Sequence, residues 1–326
     1  MHWRRGLRAT EAFLPVAVVL SLAAACAGAG DFAFVTNQNS SDVSVLDVAT
    51  REEVQRIDVP GQPAGVAVHD GTGVFYTVSP ESKTVRKFAL ETGAELASVV
   101  LDGGPIGIAV QPDGARIFVS DWYNARIWVI DAGDMAVVGE LETGSAPAGL
   151  VVSADGQWLG SADRDSHQVS IFELDSLSLH ARLAVGVRPF GISEGPDGRF
   201  YTADVGSNSV TVIEPVAGEV TGSVAVGERP YGVAFAQGRG FVTNQYADSV
   251  SVFDLETLEV VELIYVGEYP EGIDTTSDGA TILVANWFSN TVSLIDAETL
   301  TVTGEMEAGD GPRAFGKFLS AASGRK

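Results

Sequence analysis

Cysteine and histidine are nearly absent from this sequence. Cys26 is the single cysteine among 326 residues, and only four histidines occur. One thiol cannot form a disulfide within the chain, and a Cys/His zinc site and a covalently attached c-type haem are both excluded. His69, His167 and His180 are predicted in a turn, a loop and an outer strand, where they do not converge on one metal. We therefore expect no metal and no cofactor, and we assign no catalytic residue.

Positive charge is also scarce. The sequence has 20 Lys and Arg against 43 Asp and Glu, which is a formal net charge of −23 at pH 7. Such a charge repels nucleic acid and anionic lipid at long range, so nucleic-acid binding is not expected as a primary role. Its simplest interpretation is an acidic, well-solvated surface.

Long hydrophobic runs are limited to one, near the start of the chain. Residues 12–25 form an apolar run behind three arginines, and this run is too short to span a bilayer comfortably. It predicts an export signal over residues 1–29. A cut before Cys26, which would leave a lipid anchor there, is the alternative, and the paired arginines leave Sec and twin-arginine export both open. The mature chain is expected in the periplasm or outside the cell, without a transmembrane span.

A repeat of about 42 residues fills the rest of the chain. Prolines recur at intervals of 40 to 42 residues, at Pro63, Pro105, Pro147, Pro189, Pro230, Pro270 and Pro312. A glycine stands two residues after each of the first six. A second series, here called the markers, has the same intervals: Asn37, Ser79, Asp121, Asp163, Asp204, Asn244 and Asn286. Two series that share one irregular set of intervals indicate seven repeats of one structural unit.

Each repeat is predicted to form four β-strands. After the proline and glycine comes a short apolar segment, then a turn such as Pro112-Asp113-Gly114, and then a second segment that ends at the marker. A strictly alternating third strand and a fourth strand follow, and no helical periodicity occurs after residue 30. This pattern predicts an all-β, seven-bladed β-propeller with four antiparallel strands per blade over residues 30–320, and a tail at 321–326.

The two ends of the repeat array complement each other. Residues 31–59 supply the second, third and fourth strands of a blade, whereas residues 312–320 supply a first strand alone. Pairing them predicts a composite blade that closes the ring and removes its exposed sheet edges. We expect the closed ring to be a monomer.

The segments that end at the markers resemble a known repeat. They read FVTN at Phe34 and Phe241, FVSD at Phe118, YTAD at Tyr201 and LVAN at Leu283. With alternating segments such as SVSVFDLET, they are similar to the repeat of the YVTN family of β-propellers. The resemblance implies an exported seven-bladed propeller. It implies no single function, because that family includes surface-layer and periplasmic proteins, and related propellers are subunits or domains of amine dehydrogenases and nitrite reductases.

The residues that obey the repeat have structural interpretations. The Asn/Asp markers are predicted to cap the turn after their strand, rather than to form a ring of calcium ligands. The prolines are predicted to set the start of the inner strand, and the glycines to let neighbouring blades approach closely.

Residues that depart from the repeat are candidates for a binding site. In a propeller the loop before the first strand and the loop after the second open on one face, around the central channel. The first three prolines have small or uncharged neighbours, whereas the last four are flanked by Arg188, Phe190, Arg229, Tyr231, Tyr269, Glu271 and Arg313. Positions just after the markers add Trp122, Arg164, Gln245 and Trp287.

These eleven residues suit an anion that carries an apolar or planar body, bound by forked arginine hydrogen bonds and by stacking. The alternative is that they only plug the channel mouth or pair with surface acids. We predict a binding or scaffolding propeller of the cell envelope, with an anionic small molecule or an envelope protein as partner. The alternative function is an enzyme, or a non-catalytic subunit of a periplasmic enzyme, such as a dehydrogenase partner or a lactonase-like or lyase-like propeller.

Overall fold

The computed structural model describes residues 1–2 and 31–321. The rest of the predicted export signal, including Cys26, and residues 322–326 of the predicted tail lie outside the described residues. Residues 31–321 form 29 β-strands and two short 3₁₀ helices, Asp70–Thr72 and Arg164–Ser166. No helix in the described part of the chain is long and apolar enough to cross a membrane.

The strands form the seven blades of a ring, each of four antiparallel strands, and one of the seven sheets has a fifth strand added in parallel at its edge. Blade 1 contains β1 (Phe32–Asn37), β2 (Asp42–Asp47) and β3 (Glu52–Asp58); blade 2 contains β4 (Gly65–His69), β5 (Val74–Ser79), β6 (Thr84–Ala89) and β7 (Glu95–Val100); and blade 3 contains β8 (Pro105–Val110), β9 (Arg116–Asp121), β10 (Arg126–Asp131) and β11 (Val137–Glu142). Blade 4 contains β12 (Pro147–Val152), β13 (Trp158–Asp163), β14 (Gln168–Glu173) and β15 (Ser178–Ala184); blade 5 contains β16 (Pro189–Glu194), β17 (Phe200–Asp204), β18 (Ser209–Glu214) and β19 (Glu219–Ala225); and blade 6 contains β20 (Pro230–Ala236), β21 (Arg239–Asn244), β22 (Ser249–Asp254) and β23 (Val260–Tyr265). Blade 7 contains β24 (Pro270–Thr275), β25 (Thr281–Asn286), β26 (Thr291–Asp296) and β27 (Thr301–Glu307), and the chain continues with β28 (Phe315–Lys317) and β29 (Leu319–Ser320). The predicted fold class, a seven-bladed propeller, is confirmed.

Blade 1 is composite, as the complementary chain ends predict. Strand β29 pairs antiparallel with β1, and Pro312 forms an antiparallel bridge with Asn37 at the other end of β1. Between these contacts the segment changes partner, because β28 pairs in parallel with β4 of blade 2. The predicted first strand of blade 1 is therefore split, and the C-terminal segment joins two neighbouring blades.

Two residues allow and hold this change of partner. Gly316 has φ 125°, and a Cβ there would lie 2.3 Å from the carbonyl oxygen of Val66, so only glycine fits against β4. On the other side, the Asp274 carboxylate of blade 7 accepts hydrogen bonds from the N–H groups of Phe318 and Leu319, at 2.9 Å each. The ring is therefore closed by contacts to blades 1, 2 and 7.

The repeated prolines and glycines set the inner strands as predicted. Strands β8, β12, β16, β20 and β24 each begin at a repeat proline. A Cβ built on Gly107 would lie 2.1 Å from the carbonyl oxygen of Ala148 in the next blade, and one built on Gly191 would lie 2.2 Å from that of Tyr231. Inner strands of neighbouring blades therefore come this close only because these positions have no side chain.

The markers bind the third strand, so the prediction that they chiefly cap the following turn is wrong. Asn244 is representative: its Nδ2 donates to Ser249 Oγ at 3.2 Å and to Ser251 Oγ at 3.0 Å. Asp121 is the marker that also accepts from the turn, through the N–H of Tyr123 at 3.2 Å. The physical reason is burial: the markers are fully buried, and side chains on the third strand are the polar groups within their reach.

Candidate ligand site at the channel mouth

The central channel contains two cavities with an aromatic cluster between them. The larger cavity, about 790 Å³, is lined mainly by the backbone and apolar side chains of the inner strands, and the smaller one has about 340 Å³. Phe190 borders the smaller cavity, Phe315 the larger one and Tyr231 both. Their ring centroids lie 4.6, 5.0 and 5.5 Å apart. This cluster fills the channel between the two cavities.

The smaller cavity lies at the mouth where two loops of each blade meet. The residue before the repeat proline is left-handed, with φ 54° at Arg229 and 58° at Tyr269, which is uncommon for a residue other than glycine. A side chain of the preceding blade holds each of these turns: Asn208 Oδ1 accepts from the N–H of Arg229 at 3.0 Å, and Asp248 Oδ1 from that of Tyr269 at 2.9 Å. The carbonyl of Arg229 in turn accepts from the N–H of Gln245 at 3.0 Å. These bonds fix both loops, and with them the side chains at the mouth.

Ten of the eleven residues singled out from the sequence border this cavity: Trp122, Arg164, Phe190, Arg229, Tyr231, Gln245, Tyr269, Glu271, Trp287 and Arg313. Arg188 is exposed and does not border it; its N–H donates to His167 Nδ1 at 3.2 Å. Gln38 and Val205 also border the cavity but were not singled out. Each of them directly follows a marker. Taking the residue after the marker in every repeat would therefore have identified both.

Glu271 lies at the centre of a buried polar network. Its side chain is only 6% exposed, its Oε1 accepts from Gln245 Nε2 at 2.7 Å, and its Oε2 lies 3.2 Å from Arg313 Nε. Arg313 donates to the Tyr231 hydroxyl from Nε and to Gln38 Oε1 from Nη1, at 2.9 Å each. Burial raises the pKa of Glu271 above its ordinary value, and the positive charge of Arg313 opposes that rise.

Two of the three arginines at the cavity have an acidic partner. Arg313 is paired with Glu271, as described above. Arg164 Nη1 lies 2.6 Å from Asp165 Oδ1, and its guanidinium lies 5.3 Å from the ring centroid of Trp122. Their charges are therefore balanced by neighbouring carboxylates.

Arg229 is the third arginine, and no carboxylate within the described residues lies in salt-bridge contact with it. Its guanidinium lies 4.4 Å from the ring centroid of Tyr246, and its buried Nε has no hydrogen-bond partner in the described structure. The same holds for Trp287 Nε1 and Glu271 Oε2 at this cavity. The mouth thus has two donors and one acceptor whose hydrogen bonding is incomplete.

Aromatic side chains continue from the cavity to the surface. The ring centroids of Tyr269 and Trp287, which border the cavity, lie 5.8 Å apart. Phe288 lies 4.9 Å from Tyr269 and 4.8 Å from Trp287, and Tyr246 lies 5.7 Å from Tyr269. Phe288 and Tyr246 are 60% and 52% exposed. These four rings, inclined to one another by 44° to 62°, form one aromatic wall beside Arg229.

A metal-binding cluster and a nucleophile elbow are both absent from the described residues. No group of three or more His, Cys, Asp or Glu side chains suited to a metal ion occurs there. Gly191–Gly195 has the letter pattern Gly-x-Ser-x-Gly, which in α/β-hydrolases places a nucleophilic serine on a strand-to-helix turn. Here Ser193 lies within strand β16 and no helix follows it, so this segment is not a nucleophile elbow.

The ring of seven four-stranded blades makes this protein a seven-bladed β-propeller. A family model described as YNCE-like beta-propeller matches residues 10–321, so the chain belongs to the YNCE-like β-propeller family. This finding agrees closely with the resemblance to the YVTN repeat. The comparison with curated proteins found no match.

Three solved structures with this fold have different functional descriptions. Hydrazine synthase of Kuenenia stuttgartiensis has a TM-score of 0.74 and 22% identity, over 81% of this chain and 92% of that one. A functionally unknown protein of Desulfotomaculum acetoxidans has a TM-score of 0.75 and 16% identity, over 86% and 97%. The dihydro-heme d1 dehydrogenase NirN in complex with DHE has a TM-score of 0.66 and 15% identity, over 89% and 75%. At these low sequence identities, the similarity shows a shared fold only.

Proposed function

We propose that this protein is an exported binding propeller of the cell envelope, and that its mouth cavity holds a small anion with a planar or apolar body. The observation that carries this proposal is Arg229, a cation without an acidic partner beside an aromatic wall. Of the three arginines that border the cavity, Arg229 is the one whose charge no neighbouring carboxylate of the described residues pairs with, so it is available to a bound anion.

The shape and chemistry of the cavity support this ligand class. Its volume of about 340 Å³ suits a small molecule. A guanidinium binds a carboxylate or phosphate through forked hydrogen bonds, and Trp287 and Tyr269 offer ring faces for the rest of the ligand. The export signal predicted over residues 1–29 supports a periplasmic or secreted location, and the closed ring supports a monomer.

A second candidate is a non-catalytic subunit of a periplasmic enzyme. The observation in its favour is the set of exposed aromatic side chains on the mouth face, since aromatics are enriched at protein interfaces. Tyr123, Tyr246 and Phe288 are 77%, 52% and 60% exposed. A stoichiometric redox enzyme bound to the protein purified from its native host, and lost after Tyr246→Ser and Phe288→Ser, would favour this candidate.

The ligand proposal is tested with matched probes. We expect 3-phenylpropionate and phenyl phosphate to raise the melting temperature, and the neutral 3-phenylpropanamide to leave it unchanged. Arg229→Gln should weaken binding of 3-phenylpropionate by about 1.5–3 kcal/mol, the value of a charged hydrogen bond. Titration calorimetry measures the affinities.

Two arginines serve as controls for that variant. Arg188→Gln removes an exposed arginine beside the mouth, and Arg116→Gln removes one at the start of β9, outside the residues that border the cavity. Both should bind 3-phenylpropionate as the wild type does. Equal affinities in all three variants and the wild type would mean that the mouth residues only pack and pair with one another.

A further inference from the structure

Glu271 is the only acid at its repeat position, where five of the seven repeats have an uncharged residue and the last has Arg313. The residues that follow the seven repeat prolines are, in order, Ala64, Ile106, Ala148, Phe190, Tyr231, Glu271 and Arg313, and the last four border the mouth cavity. The first five have no formal charge, and their blades form without one. The acid at 271 is therefore not required by the blade fold.

The hydrogen bonds of Glu271 are incomplete for a buried carboxylate. An ionised carboxylate offers about four acceptor sites. Oε1 accepts one hydrogen bond, from Gln245, and the Tyr231 hydroxyl also interacts with the carboxylate, whereas Oε2 has no donor in good hydrogen-bond geometry within the described residues. Arg313 Nε lies 3.2 Å from Oε2, but its hydrogen is directed to the Tyr231 hydroxyl. A buried acceptor left without a donor is costly, so a donor from outside this network would be bound favourably.

The ion pair with Arg313 alone does not account for this acid. Replacing a buried ion pair by apolar residues is often neutral or stabilising, and the first five repeats have uncharged residues at this position. The pair is also neutral as a whole, so it leaves the charge of Arg229 unbalanced. The cavity thus combines one cation, Arg229 in the loop before β20, and one acceptor, Glu271 on β24, and both border the same space of small-molecule size.

We propose that Glu271 makes the mouth site selective for acids that also carry a hydrogen-bond donor, so that its ligands are hydroxy or amino acids with an aromatic or apolar body. The acid group binds Arg229, the hydroxyl or ammonium group donates to Glu271, and the body lies on Tyr269 and Trp287. This inference rests on the proposed function, since it names the ligand class of the same cavity.

Three probes that differ in one group test the inference. L-phenylalanine, L-phenyllactate and 3-phenylpropionate share a phenyl ring and a carboxylate and differ in an ammonium, a hydroxyl or a hydrogen on the α-carbon. We expect the first two to bind the wild-type protein about tenfold or more tightly than 3-phenylpropionate, as one additional hydrogen bond to a charged group predicts. Equal binding of all three, or tightest binding of 3-phenylpropionate, would overturn the inference while the anion site stands.

Glu271→Gln separates the charge of Glu271 from its role as an acceptor. Glutamine keeps an acceptor oxygen but loses the negative charge, so the preference for phenylalanine should fall about tenfold, whereas that for phenyllactate should change less. The ranking of the three probes in the wild type needs no variant, so a poorly folded Glu271→Gln protein does not block the test. Failure of all three acids to bind at millimolar concentration would contradict the proposed function itself.

Discussion

Asp121 and Asp204 occupy the same marker position in two blades, yet their surroundings shift their pKa values in opposite directions. Burial raises the pKa of Asp204 to about 6, and hydrogen bonds from Thr211, Thr202 and Ser209 only partly offset that rise. Burial acts on Asp121 as well, but bonds from the Gly104 N–H and from the side chains of Asn124 and Arg126 outweigh it and hold its pKa below the ordinary value. The set of donors around a buried marker acid, which for Asp121 includes the Arg126 cation, therefore decides the direction of its pKa shift.

These shifts predict opposite effects of two asparagine substitutions. Native Asp204 keeps its proton up to about pH 6, whereas an unfolded aspartate releases it near 3.8. The native state therefore binds more protons between these values, and the free energy of unfolding falls as pH rises through that window. Asp204→Asn should remove this fall and raise the free energy of unfolding at neutral pH by about 1–3 kcal/mol, since asparagine already serves as the marker in three other blades.

Asp121→Asn is the matched control. It removes a charge that Arg126 Nε contacts at 2.9 Å, so the free energy of unfolding at neutral pH should fall by about 1–3 kcal/mol. Urea unfolding of both variants between about pH 4 and 7 measures the difference. A loss of similar size in both variants would show that the marker acids have the same role in every blade.

At the scale of the strand, the contact between inner strands depends on the absence of a side chain. The glycine that stands two residues after the repeat proline lies against a carbonyl group of the next blade. A Cβ built on Gly107, Gly149 or Gly191 would lie 2.1, 2.6 or 2.2 Å from that carbonyl oxygen. The neighbouring atom is backbone, which cannot rotate away. The spacing between blades around the channel is therefore set by backbone contact.

Gly107→Ala should therefore push blades 3 and 4 apart and destabilise the protein by about 1–3 kcal/mol, as overpacking does. Gly139→Ala is the control, because a Cβ there would meet Val129 Cβ at 3.8 Å, an ordinary contact in an outer strand. Its effect on the free energy of unfolding should be small. Chemical denaturation compares the two variants, and equal stability of both would contradict the role assigned to the inner glycine.

At the scale of the whole molecule, closure of the ring depends on one short segment. Residues 312–321 contact blades 1, 2 and 7 through Pro312, β28, β29 and the Asp274 carboxylate. Phe318 in this segment is completely buried. Without the segment, blades 1 and 2 would each have an exposed strand edge at the channel, and such edges promote aggregation.

Deleting residues 312–326 should therefore abolish cooperative melting or cause aggregation, which calorimetry and light scattering detect. Deleting only residues 322–326 keeps every described strand and should leave both measurements unchanged. A monomeric 312–326 deletion with the melting curve of the full chain would show that the composite blade is not needed for closure.

The sequence alone determined the repeat, the number of blades and the residues that face the mouth, because each blade repeats the same backbone and the same position therefore reaches the same face. It also indicated the composite blade, since a missing strand at one end matched a spare strand at the other. Three features were decided only in the folded ring. The C-terminal segment changes partner at Gly316, because the carbonyl of Val66 leaves no room for a Cβ there.

The other two concern side chains from different blades. The markers bind side chains of the third strand, and only Asp121 also accepts from the turn within the described residues, since burial makes the third-strand groups the available partners. Arg313 is neutralised by Glu271 from the adjacent blade, Arg188 lies exposed outside the cavity, and Arg229 keeps an unpaired charge. Which arginine is paired depends on distances between residues far apart in the chain, and those distances exist only once the ring has closed.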